Sequence, residues 1–307
     1  MDLSSINPIL LVASIMVSAT PILLAAIGEM VVEKAGVLNL GVEGMMIIGA
    51  VTGFATAVST GSPFLGFLAA AIASAIFSMA FGLLTQFLLS NQVATGLGLW
   101  MIGLGVSSLV GKSYEGMKSP PTPKLDIPVL SDLPVVGRML FSHDIMVYLS
   151  LLLVLGVWAF LKFTRAGLIL RAVGESHDSA HALGYKVVLI RLAAIFFGGA
   201  CAGLGGAYIS LVRVPQWTEG MTAGIGWIAL AIVVFASWRP GRVLIGAYLF
   251  GGINVLQLNL QAAGANVPVA LLSASPFIVT ILVLVIISAR GHHGAPASLG
   301  RPFHATT

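Results

Sequence analysis

Charged residues are scarce in this chain. Only 8% of its 307 residues are Asp, Glu, Lys or Arg, whereas 58% are hydrophobic and the mean hydropathy is +1.02. Soluble domains carry roughly a quarter charged residues, so a water-facing surface cannot be built from this composition. Lipid disfavours charge and requires the backbone to satisfy its own hydrogen bonds. The composition therefore excludes an ordinary soluble domain and predicts an integral membrane protein.

Cysteine is nearly absent as well. The single one, Cys201, lies in the small-residue run FFGGACAGLGGAY, which excludes a disulfide framework and a cysteine-based metal site. The N-terminal stretch MDLSSINPILL has no basic residue, so we predict no cleaved signal peptide. The net charge of +4 comes from short basic clusters between apolar runs. That pattern is typical of cytoplasmic loops and does not indicate a nucleic-acid partner.

Long apolar runs are abundant. A helix needs about 20 residues to cross the hydrocarbon core, whereas strands of a closed barrel alternate over about ten. The runs here are continuous, which favours helices. We therefore predict an all-α, polytopic transmembrane helical bundle that forms a single domain over residues 1–307. Nine candidate spans, within a range of eight to ten, are 8–27, 37–57, 63–89, 92–110, 144–161, 187–211, 222–237, 243–261 and 270–289.

Basic residues predict the orientation of the bundle. The stretch 162–186, the turn WRPGR and the tail 291–307 fall on one side if the last four spans alternate. An excess of Lys and Arg marks that side as cytoplasmic. The opposite side then receives the proline-containing loop 111–143. Nine crossings place the N-terminus outside and ten place it inside, so the sequence leaves the side of the N-terminus open.

Two motifs resemble catalytic sites but lack the required pattern. In GLGVSSLVGKS, five residues separate Gly105 from Gly111 where a phosphate-binding loop has four, and an apolar helix stands in place of the strand. In HDSAH, His177 and His181 are four residues apart, but Asp178 stands where a zinc metalloprotease helix has Glu. We therefore predict no nucleotide site, no metal site and no enzymatic activity.

The stretch GEMVVEKAGVLNLGVEGMMIIGA is the first polar constellation. Its charged residues Glu29, Glu33 and Lys34 are predicted to close the first loop. The glycines that follow predict a broken or re-entrant start for the second span. Asn39 and Glu43 are four residues apart, so we expect them to share a helix face. Glu43 either lines a water-filled path or only fixes helix packing.

The basic stretch 162–186 predicts a short helix between two spans. The helix is expected to run from about Glu175 to Leu183 and to end at Gly184 as a C-cap. A span rich in small residues follows, which suits tight helix packing. A partner that docks on the short helix would move both neighbouring spans together.

The stretch GGINVLQLNLQ carries amide side chains inside an apolar run. At helical spacing Asn254, Gln257 and Gln261 share one face, while Asn259 points away. Amides offer donors and acceptors to hydroxyl-bearing or amide-bearing solutes. The same side chains also form hydrogen bonds between helices in membranes, so the face either lines a path or joins helices.

These segments resemble the permease subunits of bacterial ABC importers, in the branched-chain amino acid/ribose/nucleoside permease family. EKAGVLNLGVEGMM is most similar to the simple-sugar and nucleoside subgroup. RAVGESHDSAHALGYKV resembles the family's coupling segment, and LQAAGANVPVALLSASPFIVT resembles the subgroup's last span. The similarity extends over residues 10–290. It departs at Ser176, where Asn is more usual, which affects the cap of the coupling helix.

The resemblance implies that transport and ATP hydrolysis are carried out by separate subunits. Two permease subunits, identical or different, would form a central path, and a separate ABC ATPase would bind their coupling helices. An extracytoplasmic solute-binding protein would deliver a nucleoside or simple sugar, no cofactor would be needed, and the location would be the bacterial inner membrane. The implied coupling residues are Arg171, Gly174, Glu175, Ala180 and Gly184. The implied substrate path comprises Asn39, Glu43, Asn254, Gln257 and Gln261.

Three alternatives remain at this point. A branched-chain amino acid permease would need a charged or helix-terminus site for the zwitterion, and the amide face has no charge. A self-sufficient secondary transporter or channel would need an ion-coupling residue, for which Glu43 is the candidate. A membrane-embedded enzyme would need a nucleophile–base pair or a metal triad, and neither stands out within the spans.

Overall fold

The structure, a computed structural model, describes residues 8–126, 137, 140–262, 268–288 and 294–304. These residues form a helical bundle with one small two-stranded ladder. The helices are α1 (Pro8–Lys34), α2 (Val42–Thr60), α3 (Pro63–Gln86), α4 (Gln92–Gly111), α5 (Ile145–Phe163), α6 (Arg165–Glu175), α7 (His177–Ala182), α8 (Val187–Tyr208), α9 (Ile225–Phe235), α10 (Pro240–Ala262) and α11 (Val269–Ser288). A π-helical turn, Ile209–Arg213, extends α8.

Seven of the described helices, α1–α5, α8 and α10, are long and apolar enough to cross a membrane. The predicted all-α, polytopic bundle is therefore confirmed. Each of the nine predicted spans coincides with a helix, although α9 has only 11 residues. A helix of that length rises about 16 Å, or half of a hydrocarbon core of about 30 Å. We therefore describe α9 as a half-helix.

The predicted first loop is wrong at its start, because α1 continues to Lys34. Glu29 and Glu33 are buried inside this helix at 2% and 1% exposure. The indole Nε1 of Trp238 donates to Glu33, and the backbone N–H of Asn39 donates to Glu29 Oε1 at 3.3 Å. Carboxylates that a hydropathy pattern assigns to a loop can remain in a helix where buried donors meet them.

The second span has the predicted broken start. After Gly36, whose φ is +85°, the backbone is irregular and turns before α2 begins at Val42. Asn39 therefore precedes the helix, and the expectation that it shares a helix face with Glu43 is wrong. The reason is the irregular, non-helical backbone at 37–39, which places no residues at helical spacing.

The predicted loop 111–143 contains structure that the all-α prediction does not include. Strand β1 (Lys124–Asp126) pairs antiparallel with β2 (Ser142–Asp144). Asp144 then begins α5 as its N-cap, and its Oδ2 accepts a 2.8 Å hydrogen bond from Tyr208 Oη on α8. Residues 127–136 and 138–139 of this loop lie outside the described residues.

Glycines allow the central helices to approach closely. A Cβ at Gly44 of α2 would lie 2.7 Å from the Cα of Trp100, and one at Gly103 of α4 would lie 2.8 Å from the carbonyl oxygen of Gly44. Small residues at such crossings are typical of helix pairs in membranes. The contact sets the start of α2 against the middle of α4.

Candidate functional site

The three basic stretches of the chain meet at one end of the bundle, which we call the basic end. The backbone N–H of Ser298 donates to the carbonyl of Gly174 at 2.9 Å, so the C-terminal segment lies on α6. The indole of Trp238 reaches Glu33 near the end of α1. The turn after α9, the loop between α5 and α8 and the C-terminal segment are thereby brought together.

The predicted coupling helix corresponds to α7, and a further short helix, α6, precedes it. α6 ends at Glu175, and Ser176 begins α7 by accepting a 3.3 Å hydrogen bond from the backbone N–H of Ser179. The helix predicted from about Glu175 to Leu183 is therefore present, but it begins two residues later, at His177, because Ser176 adopts an extended conformation between α6 and α7. Serine is a strong N-cap residue, so the departure from the family's usual Asn keeps the cap.

α7 ends in a glycine cap. Gly184 has φ +87°, its N–H donates to the carbonyl of His181 at 2.8 Å, and the N–H of Tyr185 donates to that of Ala180 at 3.1 Å. This pair of bonds is a Schellman motif, which requires the left-handed conformation that glycine adopts readily. The predicted C-cap is therefore present at Gly184.

The predicted coupling residues divide into two groups. Glu175 and Gly184 are exposed and Arg171 is partly exposed, so these three are accessible at the basic end. Gly174 and Ala180 are buried. Gly174 packs against the backbone at the end of α1, where a side chain would have no room. The buried pair therefore positions the two short helices, while the exposed residues form their surface.

Arg191 is a residue that the sequence did not single out. It lies in the first turns of α8 and is fully buried, at 0% exposure. Its guanidinium donates to the carbonyls of Ala35 at 3.2 Å and Arg301 at 3.1 Å, and it lies 3.2 Å from His177 Nδ1. Because guanidinium only donates, His177 Nδ1 accepts and this imidazole is neutral. Burial and the adjacent Arg191 lower the pKa of His177 below its ordinary value.

The C-terminal residues 294–304, which we call the C-terminal clasp, pack against α7, a contact that the polar tail predicted for 291–307 did not include. Phe303 is only 5% exposed, and its ring lies 5.5 Å from that of His177 and 5.2 Å from that of His181. Ser298 Oγ accepts from the N–H of His177 at 3.3 Å, and the N–H of Gly300 donates to Gly36 at 3.2 Å. Phe303, an aromatic residue in a polar stretch, is the sequence signal for this packing.

Glu43 holds the N-terminus of the half-helix α9. Its Oε1 accepts hydrogen bonds from Thr222 Oγ1 at 2.5 Å and the N–H of Gly224 at 2.9 Å, and its Oε2 accepts from the N–H of Gly226 at 2.6 Å. The carboxylate thus accepts hydrogen bonds from N–H groups at the start of the helix, which have no acceptor in a preceding helical turn. It also complements the positive end of the helix dipole.

This carboxylate lies at about the middle depth of the helical bundle. The next residue, Gly44, packs against Trp100, which is eight residues into α4. Eight residues correspond to about 12 Å of helix. The two ends of α4 lie near opposite faces of the bundle, because Gln92 accepts from Leu38 at the basic end and Gly111 packs against Trp217 at the other.

Asn39 shapes the turn before α2. It is fully buried, and its Oδ1 accepts from the N–H of Gly41 at 2.9 Å. Its Nδ2 points to Met45 Sδ at 3.4 Å. The side chain therefore stabilises the re-entrant turn, while Glu43 has its own partners on α9.

The amide face of α10 turns toward the protein. Gln257 is 9% exposed, and Asn254 and Gln261 are partly buried. The neighbouring Leu256 and Leu258 are 46% and 53% exposed, which places them on the outer face. Asn259 bonds the carbonyl of Val255 at 2.8 Å, within its own helix.

A large apolar groove lies elsewhere. It has a volume of about 710 Å³ and is lined by residues of α1, α5, α6 and α8, such as Leu152, Phe160 and Ile169. None of the predicted path residues lines it. Apart from Tyr185, its lining side chains are apolar and offer a polar solute few hydrogen bonds, so the groove does not suit the predicted substrate.

The structure is a multi-pass bundle with a re-entrant second span, a half-helix and two short helices at one end. This architecture defines a membrane transport subunit. The family profile described as the permease component of a branched-chain amino acid transport system matches residues 11–287. The chain belongs to this family of permease components.

Curated relatives agree with this assignment. The chain is 40% identical over 289 residues to TsgC13, a permease protein assigned to a glucose ABC transporter of Haloferax volcanii, covering 87% of this chain and 88% of that one. It is 32% identical over 320 residues to NupQ, a guanosine ABC transporter permease protein of Bacillus subtilis, covering 99% and 98%. It is 31% identical over 290 residues to NupC, a nucleoside ABC transporter permease protein of Lactococcus lactis, covering 90% and 92%.

The family and the helices establish the class of protein. The chain is a multi-pass permease subunit of an ABC transporter in the plasma membrane. Because its relatives are permease proteins of ABC transporters, it operates together with an ATPase and other ABC components.

Proposed function

We propose that this chain forms the translocation path of an importer for a nucleoside or a simple sugar, and that it hydrolyses nothing itself. The relatives that carry solute names are permeases for glucose, guanosine and nucleosides. The proposed partners are an ABC ATPase at the basic end, a second permease subunit, and an extracytoplasmic solute-binding protein at the opposite end.

The bonds of Glu43 support an uncharged solute. A discontinuous helix in a transporter often directs its positive N-terminus at the carboxylate of a substrate. Here Glu43 already accepts from Thr222, Gly224 and Gly226. The N-terminus of α9 is therefore occupied by the protein's own carboxylate, which argues against an amino acid substrate. It also argues against Glu43 as the coupling site of a secondary transporter.

Reconstitution tests this function. The permease complex would be purified with its ATPase and binding protein and placed in liposomes, and uptake of labelled guanosine, glucose and leucine would be measured with and without ATP. We expect ATP-dependent uptake of guanosine or glucose and none of leucine. Accumulation by the permease without an ATPase, or uptake of leucine alone, would contradict the proposal.

We also propose that the exposed surface of α7 and Gly184 receives the ATPase. Replacing Gly184 by Ala puts a side chain in the left-handed conformation, at a penalty of about 1 kcal/mol, and loosens the end of α7. We expect Gly184→Ala to lower uptake per ATP hydrolysed several-fold in proteoliposomes, with the protein still inserted. Glu175→Ala should act in the same direction, because it removes an exposed side chain beside α7.

Gly61 provides a matched control for Gly184. It has φ +71° and ends α2 at the opposite end of the bundle. As at Gly184, no atom lies within 4 Å of the position that a Cβ would occupy. Gly61→Ala therefore imposes similar backbone strain far from α7. An equal ratio of uptake to ATP hydrolysis in Gly184→Ala and Gly61→Ala would show that the basic end has no special role in coupling.

We further propose that the amide face of α10 contributes to the path. Replacing Gln257 by Leu removes the amide donor and acceptor while keeping the size of the side chain. We expect a several-fold lower uptake with unchanged ATPase binding, measured by co-purification. Unchanged uptake would assign the amide face to helix packing alone.

A further inference from the structure

An irregular segment descends to the middle of the bundle before α9. Between Glu219 and Ile225 the backbone has positive φ at Gly220, Ala223 and Gly224, of +66°, +46° and +87°. Ala223 is exposed although it directly precedes Gly224, whose N–H bonds Glu43 at mid-depth. The segment therefore places an exposed residue of a non-helical stretch at mid-depth of the bundle.

Lipid cannot be those surroundings. Hydrocarbon offers no hydrogen bonds, so irregular backbone at membrane depth occurs only where it is buried in protein or lines a water-filled cavity. At the rim of the same surface the exposed carboxylate of Glu219 accepts a 2.6 Å hydrogen bond from Ser108. A polar rim above this exposed, non-helical segment favours water.

Two indole rings lie at the foot of this segment. Trp100 of α4 and Trp227 of α9 pack edge to face, with ring centroids 5.6 Å apart and planes at 83°. Both are partly exposed, although they sit at the level of Glu43 and not at a membrane interface, where tryptophan is usually enriched. An open aromatic pair at this depth is a stacking surface for a ring.

We propose that Trp100, Trp227 and the segment 219–224 form a solute-binding surface inside the translocation path. The inference rests on the proposed function and adds the position of the site. Its ligand is a solute whose ring has an apolar face and polar edges: the base of a nucleoside or the C–H face of a sugar. The ring stacks on the indoles while its polar edge faces the water-filled space beside the segment 219–224.

Cysteine labelling tests whether this surface is wet. Ala223→Cys would be introduced into the otherwise native chain, whose own Cys201 is buried at 2% exposure, and intact cells holding the complex would be treated with a charged, membrane-impermeant thiol reagent. We expect modification at position 223, slowed by excess guanosine or glucose. Leu155→Cys on α5, where Leu155 is 62% exposed in the middle of a span, should stay unmodified in lipid. Lack of modification at 223 would mean that water does not reach it and would overturn the proposal.

Substitution of Trp227 tests the stacking. Loss of one aromatic stacking partner typically weakens binding of a base roughly tenfold or more, so Trp227→Leu should raise the KM for guanosine or glucose uptake about tenfold. Trp227→Phe keeps an aromatic face and should restore most of the affinity. The solute whose KM responds identifies the stacked ring as a base or a sugar.

Trp158 is the matched control. It is 43% exposed on α5 and forms a similar edge-to-face pair with Phe163, at 5.3 Å and 89°, near Lys162. Trp158→Leu should leave the KM unchanged, and an equal effect of the two variants would overturn the stacking role. If the native complex transports neither solute, the proposed function fails, and labelling at 223 still decides whether the surface is wet.

Discussion

Replacing Glu43 by Leu is expected to prevent stable folding or abolish uptake. The change leaves the hydroxyl of Thr222 and the N–H groups of Gly224 and Gly226 without their acceptor at membrane depth. Each unsatisfied buried donor is worth about 1–3 kcal/mol, so three together destabilise the native state by roughly 3–9 kcal/mol. Thermal unfolding in detergent and size-exclusion of the purified protein would measure the loss.

Two further variants test whether the loss of stability in Glu43→Leu comes from the missing acceptor. Glu43→Gln keeps one carbonyl acceptor but brings an N–H₂ group toward donors, so we expect an intermediate loss. Glu219→Gln changes an exposed carboxylate of the same segment that has a single bond to Ser108, and it should change stability by no more than about 1 kcal/mol. A melting temperature of Glu43→Leu equal to that of Glu219→Gln would contradict the role of Glu43 as the support of α9.

The second large effect is expected from Arg191→Leu. This guanidinium joins three parts of the basic end: Ala35 after α1, Arg301 in the C-terminal clasp and His177 in α7. Its removal leaves the buried carbonyl of Ala35 and the partly buried carbonyl of Arg301 without this donor, and it frees the clasp from α8. We expect ATP hydrolysis to continue while uptake falls at least tenfold, because α7 would move without the spanning helices. Coupled ATPase and uptake assays measure both.

Controls for Arg191 lie in the same region. Arg191→Lys keeps the charge, but an ammonium cannot present the planar fork that reaches three acceptors, so it should rescue only in part. Arg165, at the start of α6, is exposed, and Arg165→Leu should keep coupling. Phe303→Ala removes the buried ring of the clasp and should resemble Arg191→Leu. Normal coupling of ATP hydrolysis to uptake in both Arg191→Leu and Phe303→Ala would show that the clasp does not link α7 to the spanning helices.

The pH dependence of the clasp follows from His177. Its folded pKa is lowered, by burial and by Arg191 and Arg301 against the opposite effect of Asp178. The unfolded state therefore binds a proton more readily, and stability falls as pH drops through the ordinary histidine pKa of about 6.5. We expect the melting temperature of the native chain to decline below this pH, and the decline to be smaller in Arg191→Leu because one repelling charge is gone.

Much of the architecture was predictable, since it depends on local composition. Apolar runs of about 20 residues give spanning helices in any context, because only a helix satisfies its backbone in lipid. Gly184 marked the end of α7 because a left-handed cap favours glycine. The glycines before Val42 marked the broken start of α2.

Several features that the sequence did not predict share one physical cause. The burial of Glu33 in α1 and the partners of Glu43 depend on donors from residues 205 and 179 positions away. The clasp likewise depends on Ser298 and Phe303 meeting α7 across more than 100 residues. No local pattern encodes such pairings.

The sequence by itself determined that this chain lies in a membrane, where its helices are, and which family of permeases it belongs to. Only the tertiary structure decided what its polar residues do. Composition sets the solvent, because burial in lipid depends on the sum of many apolar side chains. The role of one buried carboxylate or guanidinium depends on which few groups lie within about 3 Å of it, and only the folded chain brings them there.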